Sequence, residues 1–316
     1  MVDLSIVIVS WNVSELLVAC LHSILRGPVR TEAADGEGPL VEIIVVDSAS
    51  SDNTVSIVRE RFPQVTLLPQ DENVGFTRGN NIGLEASSGR YILLLNPDTE
   101  IVDDALAHMV LYMEDHADVG ILGPRTLNSD GTTQSSRRRF PTIPLAFFES
   151  TWLQRFAPRG MLDRFYVNDA ADDAIVEVDW VQGSALMARY SVYDQIDGLD
   201  EGYIMYSEEL DWCRRAKDVG WGVVYLGTAQ IVHHGGKSTE QVKARSHIYF
   251  QQSKLRYFRK YHGFRVAIVL RIYLLLSYLF QLLQEGVKLM LGSKRDMRRE
   301  RVRAYWQVVR SGLKVY

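Results

Sequence analysis

The chain has 316 residues, of which 47% are hydrophobic and 23% charged, and it carries a formal net charge of −4. This is the composition of an ordinary globular protein with enough apolar material for a core. Its two cysteines, Cys20 and Cys213, form no spaced pair, which excludes a disulfide framework and indicates a reducing compartment. The apolar run at the N-terminus is too short for a signal peptide, so we expect a cytosolic catalytic body.

Apolar strands and helices alternate through the first hundred residues. Residues 4–9 and 41–47 are almost entirely apolar, as expected of strands buried on both faces. The segments VTLLPQ and RYILLL predict two further strands, and a helix is expected after each of the first three strands, the first capped by Ser14. This alternation predicts an α/β fold with a doubly wound, mostly parallel sheet. From Val176 onward, the sequence predicts strands around a tight turn and then another helix.

Polar residues follow several of these strands at the point where each strand ends. They are Ser10, Asp47, Asn73 and the segment 96–98, which reads Asn-Pro-Asp. One interpretation is that they are turn residues, because Asn, Pro and Asp are common where strands stop. The other is a ligand site, because the carboxyl ends of the strands in a doubly wound sheet share the edge at which ligands bind.

The charge is distributed unevenly along the chain. Residues 254–316 contain 15 Lys and Arg against 3 Asp and Glu, whereas the remainder contains 20 basic and 36 acidic residues. Within this basic tail, the segment 264–283 is nearly all apolar. An acidic body with a basic tail indicates an anionic partner for the tail, and nucleic acid and a phospholipid surface are the two candidates.

Six segments appear in order along residues 4–240: SIVIVSWN, IIVVDSASSDNT, ENVGFTRGNNIG, LLLNPDTEI, GLDEGYIMYSEELDWCRRA and IVHHGGKST. This ordered set resembles the family 2 glycosyltransferases of the GT-A fold, especially the rhamnosyltransferase-like branch that builds bacterial cell-surface polysaccharides. The resemblance implies a nucleotide-sugar-binding half over residues 1–125 and an acceptor-binding and catalytic half over 126–250. Residues 251–316 are then expected to form a basic, amphipathic helical tail that associates with the membrane.

The resemblance also implies roles for the polar residues at the strand ends. Ser10 and Asp47 would contact the base and ribose of the nucleotide, whereas Asn73 and Arg78 would face the nucleotide sugar. Asn96 stands at the first acidic position of the family's Asp-x-Asp motif and is expected to remain beside the nucleotide sugar.

The family uses a divalent cation, and the resemblance implies Asp98 and His233 as its ligands. Because Asn96 replaces the first acid, one carboxylate is left and the cation must take ligands from elsewhere. His233 matches the family histidine that supplies one, and His234 is the alternative. Oxygens of the diphosphate and water would complete an octahedral Mg²⁺ or Mn²⁺ site.

The resemblance implies Glu209, within YSEELDWC, as the catalytic base. A carboxylate on the face of the sugar opposite the leaving group accepts the proton of the attacking hydroxyl. The family more often has Asp at this position, and the extra methylene of Glu moves the carboxylate by roughly one carbon–carbon bond. On spacing alone, Glu208, Asp211 and Arg215 also fit the solvated start of a helix.

Three residues are implied on the acceptor side: Trp180, Gly183 and Asp200. A tryptophan can stack on a sugar ring, and a glycine permits close approach of the backbone. A core tryptophan beside a turn is the alternative for the first two, and capping of the following helix is the alternative for Asp200. The arginines at 137–139 either bind phosphates of a lipid-linked acceptor or form a solvated basic loop.

The apolar tail segment reaches the length of a membrane span only if it includes Arg271, which costs about 2.5–3.5 kcal/mol on insertion scales. Nucleotide sugars are made in the cytosol, so the catalytic body should lie there, and basic flanks also prefer the cytosolic side. A single span would put either the catalytic body or the basic flank on the wrong side of the membrane. We therefore expect a peripheral helix at the cytoplasmic face of the cell membrane, its basic neighbours on anionic lipid. A helix buried against the catalytic domain is the alternative. No nucleic-acid partner is expected, because no RNA-binding module accompanies the charge.

Together these inferences predict an inverting, metal-dependent enzyme that moves L-rhamnose or another hexose from a nucleotide-diphosphate donor to a lipid-linked or polysaccharide acceptor. The alternative is a non-catalytic nucleotide-sugar sensor or scaffold, which the missing first acid at Asn96 keeps open. A nucleotidyltransferase fits less well, because that reaction needs neither Glu209 nor His233.

Overall fold

The computed structural model describes residues 1–31, 38–235, 243–292 and 294–314. Residues 32–37 and the segment 236–239 of the last family motif lie outside the described residues. The chain divides into two compact units. The first comprises Met1–Phe140, Arg164–Glu201 and Glu209–Ser238, and the second comprises Pro141–Asp163, Gly202–Glu208 and Thr239–Tyr316.

The first unit is built around one large mixed sheet. Among the described residues, its strands run in the order β3-β2-β1-β4-β10-β6-β11-β5, with β8 beside β11, while β7 and β9 form a separate two-stranded ribbon. The strands are β1 (Leu4–Ser10), β2 (Val41–Asp47), β3 (Thr66–Pro69), β4 (Tyr91–Leu95), β5 (Thr99–Ile101), β6 (Val119–Leu127), β7 (Arg137–Arg138), β8 (Ile175–Glu177), β9 (Trp180–Val181), β10 (Ala185–Arg189) and β11 (Gly222–His233).

The first four strands in sequence are parallel, as the alternation of strand and helix predicts. Their register places Ser10 directly beside Asp47, and Asp47 beside Pro69. The predicted α/β fold with a doubly wound sheet is confirmed. The sequence did not indicate that β10 enters the sheet antiparallel, between β4 and β6.

Helices cover both faces of this sheet, and the helices of the described ranges have the following bounds. They are α1 (Ser14–Arg26), α2 (Thr54–Arg61), α3 (Gly75–Glu85), α4 (Ala105–Asp115), α5 (Ile143–Phe148), α6 (Arg159–Tyr166), α7 (Tyr190–Ile196), α8 (Glu208–Asp218), α9 (Lys243–His262), α10 (Phe264–Met290) and α11 (Arg295–Ser311), with a 3₁₀ turn at Trp152–Phe156.

The two faces of the sheet bury different sets of residues because side chains alternate along a strand. On β1, Ile6 and Ile8 join the core cluster under α1, α2 and α4, whereas Val7 joins the cluster under α7 and α8. Strand β4 divides in the same way, which is why its sequence YILLL is apolar throughout.

The start of α1 differs from the prediction, because Ser14 is the first helical residue and Val13 occupies the cap position. Asp52 instead accepts hydrogen bonds from the backbone N–H of Ser14, at 3.2 Å, and of Thr54, at 3.0 Å. A single carboxylate, remote in sequence from α1, therefore satisfies donors at the N-termini of both α1 and α2.

The second unit is helical and contains α9, α10 and α11 packed against one another, so the predicted C-terminal helical tail is confirmed. Two polar contacts join α10 to the α11 region. Arg271 Nε donates to the carbonyl oxygen of Gly312 at 2.7 Å, and Arg298 Nη1 pairs with Glu285 Oε2 at 2.8 Å. Within the described residues, α10 is the one helix long and apolar enough, by length and composition, to cross a membrane.

Two glycines inside helices give opposite predictions for a change to alanine. A Cβ on Gly83 of α3 would lie 2.2 Å from Cγ1 of Val7, whereas one on Gly286 of α10 would meet nothing within 4 Å. Overpacking should make Gly83→Ala less stable by about 1–3 kcal/mol. Gly286→Ala should gain roughly 0.5–1 kcal/mol, because alanine is the better helix former. Thermal unfolding of both variants tests this pair, and equal melting temperatures would contradict it.

Candidate functional site

The carboxyl ends of β1 and β2 present two buried polar side chains next to each other. Ser10 is fully buried and Asp47 is 1% exposed. Asp47 Oδ2 accepts a hydrogen bond from the backbone N–H of Ser50 at 2.9 Å, which fixes the carboxylate. Asp47 Oδ1 and Ser10 Oγ have no hydrogen-bond partner in the described part of the chain. Both atoms are therefore available to a ligand at the edge where nucleotides bind in α/β sheets.

Asn73 and Arg78 lie at the start of α3, and the side chains of both are exposed. Asn73 Oδ1 accepts hydrogen bonds from Gly75 N, at 2.9 Å, and from Ser48 Oγ, at 3.1 Å. The side chain of Asn73 thus holds the turn that leads into α3, where Gly75 has a φ of +77°. Asn73 therefore stabilises this turn, and Arg78 is exposed on the first turn of the helix.

Asp98 and His233 meet, although 135 positions separate them in the sequence. His233 Nε2 lies 3.3 Å from Asp98 Oδ1, and both side chains are less than 10% exposed. The amide nitrogen Nδ2 of Asn96 is 3.5 Å from the same His233 nitrogen. Asn96 Oδ1 is buried and has no hydrogen-bond partner within the described residues.

His234, the alternative ligand, makes other contacts. Its Nε2 lies 2.7 Å from Glu100 Oε1, and its Nδ1 lies 2.8 Å from Ser129 Oγ. Both ring nitrogens are therefore occupied away from Asp98. His233 is the histidine that reaches the carboxylate.

Glu209 lies in the first turn of α8 and is half-buried. The backbone N–H of Gly183 is one of the groups that donate to its carboxylate. The other carboxylate oxygen, Oε2, is buried and has no hydrogen-bond partner in the described ranges. Burial raises the pKa of Glu209, and hydrogen bonds from backbone N–H groups and the charge of Arg138 oppose this shift only in part. A carboxylate of this kind accepts a proton more readily than an exposed one.

The rest of the α8 segment is not a solvated helix start. Asp211 is fully buried and pairs with Arg215 Nε at 2.8 Å. Arg215 Nη2 also donates to the carbonyl oxygen of Gly198 at 2.7 Å. A spacing of four residues on a helix allows this ion pair, but it does not indicate the burial of the pair, because burial depends on what the rest of the fold packs over the helix.

The three predicted acceptor residues lie in different surroundings. Trp180 is half-buried, packs against the core cluster that contains Trp212, and donates from Nε1 to the carbonyl oxygen of Arg139 at 3.0 Å. Gly183 lies against Glu209, where a Cβ would sit 3.5 Å from Cβ of Glu209, an ordinary contact. Asp200 is partly exposed in the segment before α8. It does not cap the following helix, because that helix begins only at Glu208.

The arginines at 137–139 do not form a solvated loop. Arg137 is 7% exposed and donates to the carbonyl oxygens of Ala170 and Ala171. Arg138 stacks over the ring of Tyr166, with 4.6 Å between its Cζ and the ring centroid. This basic segment is therefore part of the folded body beside Trp180.

Backbone contacts through Gly183 and Ser184 connect the segment that carries Asn96 and Asp98 to Glu209. Asn96 N donates to the carbonyl oxygen of Ser184 at 2.9 Å, and the preceding residue, Gly183, donates to Glu209. Asn96, two residues before Asp98, and Glu209 therefore both bond to the same short segment, at the junction of β4 and β10. Ser184 Oγ is another buried polar atom with no partner in the described ranges.

Sequence reasoning missed three residues of this region: Asn81, Gln134 and Ser184. Asn81 of α3 exchanges two hydrogen bonds of 2.9 Å with the backbone of Leu199 and so fixes the segment that carries Asp200. Gln134 contacts both the backbone and the ring of His233. No signal in the sequence marks them, because each acts on residues about 90 to 120 positions away.

No cluster of three or more His, Cys, Asp or Glu side chains with metal-binding geometry occurs in the ranges that the structure describes. Asp98 and His233 are two side chains of this kind, and the amide group of Asn96 lies beside them, with Nδ2 3.5 Å from His233 Nε2. A cation held here would take its remaining ligands from a bound diphosphate and water.

Residues 5–171 match the model of glycosyl transferase family 2, which is more than half of the chain. The chain belongs to this family. The predicted family and the predicted sugar-transferase class are therefore confirmed.

Two curated relatives are similar over much of the chain. One is an N-acetylglucosaminyl-diphospho-decaprenol L-rhamnosyltransferase of Mycobacterium tuberculosis, 28% identical over 63% of this chain and 68% of the relative. The other is the low-salt glycan biosynthesis hexosyltransferase Agl10 of Haloferax volcanii, 28% identical over 73% of this chain and 66% of the relative. The similarity to the first agrees with the predicted rhamnosyltransferase-like branch.

A solved structure shares the fold at low identity. It is the mannosyltransferase PcManGT from Pyrobaculum calidifontis in complex with GDP-Man and Mn²⁺, with a TM-score of 0.55 and 16% identity. The similarity covers 98% of this chain and 87% of that chain. The predicted GT-A fold is thereby confirmed.

The raised pKa of Glu209 predicts a pH-dependent effect on stability. Since the folded state favours the protonated carboxyl, the ionised form at neutral pH lowers the free energy of unfolding. Glu209→Gln should therefore melt at a higher temperature than the wild type at pH 7. The difference should shrink as the pH falls from the raised pKa of Glu209 towards the ordinary Glu value of 4.5, and it should be lost below that value, where both states are protonated. A lower melting temperature for Glu209→Gln at pH 7 would contradict the burial argument.

Proposed function

We propose that this glycosyltransferase moves a sugar, L-rhamnose or another hexose, from a nucleoside-diphosphate donor to a lipid-linked or polysaccharide acceptor, with inversion and with a divalent cation. The observation that carries the proposal is the contact of Asp98 with His233 at the edge of the sheet, together with the hydrogen bond from Gly183, next to β10, to Glu209. The names of the two relatives support a rhamnose or hexose donor, and that of the rhamnosyltransferase supports a lipid-linked acceptor.

The residues at the proposed metal site fit a hard divalent cation. Ligands on adjacent corners of an octahedron with bonds of about 2.1 Å lie about 3 Å apart, and His233 Nε2 and Asp98 Oδ1 are 3.3 Å apart. Asn96 Oδ1 supplies a buried oxygen whose hydrogen-bonding capacity is unused among the described residues. Carboxylate, amide oxygen and imidazole ligands suit Mg²⁺ and Mn²⁺.

A divalent cation held by Asp98 and His233 supplies Lewis-acid stabilisation of the negative charge that develops on the leaving diphosphate. Ser10 and Asp47 bind the nucleotide through the buried oxygens that have no protein partner in the described ranges. Arg78, exposed on α3, adds a positive charge on the donor side. These residues hold the donor with its leaving group toward the carboxyl ends of the strands.

Glu209 is the proposed general base. Its free oxygen, Oε2, accepts the proton of the acceptor hydroxyl while the hydroxyl oxygen bonds to the anomeric carbon and the bond to the diphosphate breaks. Attack from the face opposite the leaving group inverts the anomeric configuration. The hydrogen bond from Gly183 orients the carboxylate for this step, and Trp180 and Asp200 lie on the acceptor side.

The second unit is proposed to lie on the membrane through one face of α10. That face carries a stripe of exposed apolar side chains: Ile268, Val269, Ile272, Leu276, Leu279, Phe280, Leu283, Val287 and Met290. The opposite face is buried and includes Ala267, Leu270, Leu274 and Tyr278. A helix that is apolar and exposed on one side only is suited to the interface plane.

The charges of α11 favour this placement over a membrane span. Lys294 and five arginines of the α11 region are exposed, namely Arg295, Arg299, Arg301, Arg303 and Arg310. Because α11 packs along α10, a spanning α10 would carry several of these cations into hydrocarbon, each at a cost of about 2.5–3.5 kcal/mol. On the cytoplasmic surface the same cations face anionic lipid headgroups.

Release of nucleoside diphosphate tests the chemistry. With thymidine- and uridine-diphosphate sugars, an acceptor and Mn²⁺, Glu209→Gln should lower the rate by about 10²- to 10⁴-fold while donor binding is kept. Asp98→Asn should lower the rate and raise the Mn²⁺ concentration required. Asp194→Asn, on the exposed side of α7, is the matched control and should behave as wild type. A wild-type protein that binds donor but releases no diphosphate would instead be a sensor.

Co-sedimentation with lipid vesicles tests the membrane face. Leu276 and Leu283 are 60% and 62% exposed on α10, and Leu111 of α4 is 59% exposed in the first unit. Each Leu→Glu change on α10 removes apolar burial worth about 1.5–3 kcal/mol, so binding to anionic vesicles should fall at least tenfold. Leu111→Glu should bind as wild type. Equal loss in all three variants, or no binding by the wild type, would refute the membrane face.

A further inference from the structure

Gln134 is held beside His233 by the backbone of a tight hairpin. The hairpin follows β6, and its arms are joined by a bridge between Leu127 and Thr133. At its tip, Asn128 N donates to the Thr132 carbonyl oxygen at 2.7 Å. Gln134 N donates to the carbonyl oxygen of Thr126 at 2.8 Å, so the backbone of Gln134 is fixed on the returning arm.

The side-chain amide of Gln134 has one orientation that satisfies its neighbours. Its Nε2 lies 2.8 Å from the carbonyl oxygen of His233 and 3.5 Å from that of Leu127, and both are acceptors. The atom that faces them must therefore be the NH₂ group. The amide oxygen, Oε1, then faces Nδ1 of the His233 ring at 3.1 Å.

This orientation decides which ring nitrogen of His233 carries the proton. An amide oxygen accepts hydrogen bonds and donates none, so Nδ1 must hold the hydrogen that points to Gln134. In a neutral imidazole the other nitrogen, Nε2, then carries the lone pair. That nitrogen lies 3.3 Å from Asp98 Oδ1 and 3.5 Å from Asn96 Nδ2, so its lone pair and the carboxylate are close enough to bind one cation together.

We propose that Gln134 is a positioning residue, which fixes His233 in the Nδ1–H tautomer and so keeps Nε2 unprotonated for the divalent cation. The inference rests on the proposed function, because it assigns the cation to the Asp98–His233 pair. It adds that the pair binds metal well only while a hydrogen-bond acceptor, supplied by the hairpin after β6, faces Nδ1 on the far side of the ring. Partners of this kind typically change metal affinity by about 10- to 100-fold.

Nitrogen NMR of the metal-free full-length protein tests the tautomer directly. The chain contains seven histidines, so a ¹⁵N-histidine sample is assigned with the His233→Gln variant. The wild type should show a protonated Nδ1 and an unprotonated Nε2 for His233. Gln134→Leu should lose this preference, whereas Gln134→Glu, which keeps an acceptor beside Nδ1, should retain it. A wild-type ring protonated at Nε2, or no change in Gln134→Leu, overturns the inference.

Mn²⁺ binding, followed by the electron paramagnetic resonance of the free ion with nucleoside diphosphate present, gives a second readout. Gln134→Leu should bind Mn²⁺ about 10- to 100-fold more weakly than wild type, and Gln134→Glu should restore most of the affinity. Gln195→Leu is the matched control, since Gln195 bonds the ring nitrogen of Trp221 at 2.9 Å, away from the site.

The two proposals fail in different ways. If Gln134→Leu binds Mn²⁺ as tightly as wild type while Asp98→Asn does not, the role of Gln134 is overturned and the metal site stands. If the wild type itself binds no Mn²⁺, the proposed metal site is overturned. In that case the metal role of Gln134 falls with it, and the NMR result alone decides whether Gln134 sets the tautomer.

Discussion

The pairing of β11 with β5 is the constraint on which the site depends. In this antiparallel pair His233 lies opposite Thr99, and the backbone N–H of His234 donates to the carbonyl oxygen of Asp98 at 2.9 Å. This register brings the His233 ring to the Asp98 carboxylate. A shift of one residue would turn every side chain of β11 to the other face of the sheet and replace His233 by His234. The apolar residues of β11 oppose such a shift, because Ile231 belongs to the core.

Several buried polar atoms at this edge have no hydrogen-bond partner within the described residues. They include Ser10 Oγ, Asp47 Oδ1, Asn96 Oδ1 and Glu209 Oε2. Most buried polar groups in native proteins have a hydrogen-bond partner. Several buried groups without a partner in one region therefore lower the free energy of unfolding. The sheet beneath is closely packed and apolar, and it can tolerate that loss. In the proposed function, substrate binding supplies the missing partners, in keeping with the usual conflict between stability and function at active sites.

The helical second unit shows how packing decides between interpretations that composition leaves open. By length and composition, α10 resembles a membrane span. Its buried side carries Glu285, which pairs with Arg298 of α11, and Arg271 bonds to the carbonyl of Gly312. These polar contacts bind α10 to a strongly basic helix that hydrocarbon would exclude. These contacts are the reason why the proposed placement of α10 is on the surface of a membrane and not in its interior.

The sequence by itself determined the class of fold and the family. Hydrophobic runs and their spacing predicted four parallel strands, because burial on both faces leaves a local signal in the residues of each strand. Ordered motifs named the family and most of the candidate residues. The start of α1 was misjudged, since Asp52, and not Ser14, accepts the hydrogen bonds there.

Tertiary structure alone decided which of those candidates meet. In the folded chain, His233 and not His234 lies beside Asp98, and the Asp211–Arg215 pair is buried. Strand β10 lies antiparallel to β4, and Gln134 contacts the far side of the His233 ring. Each of these depends on the register and packing of segments far apart in the chain. A local pattern records what a residue prefers, but not which distant residue will lie opposite it, because that is fixed only when the sheet assembles.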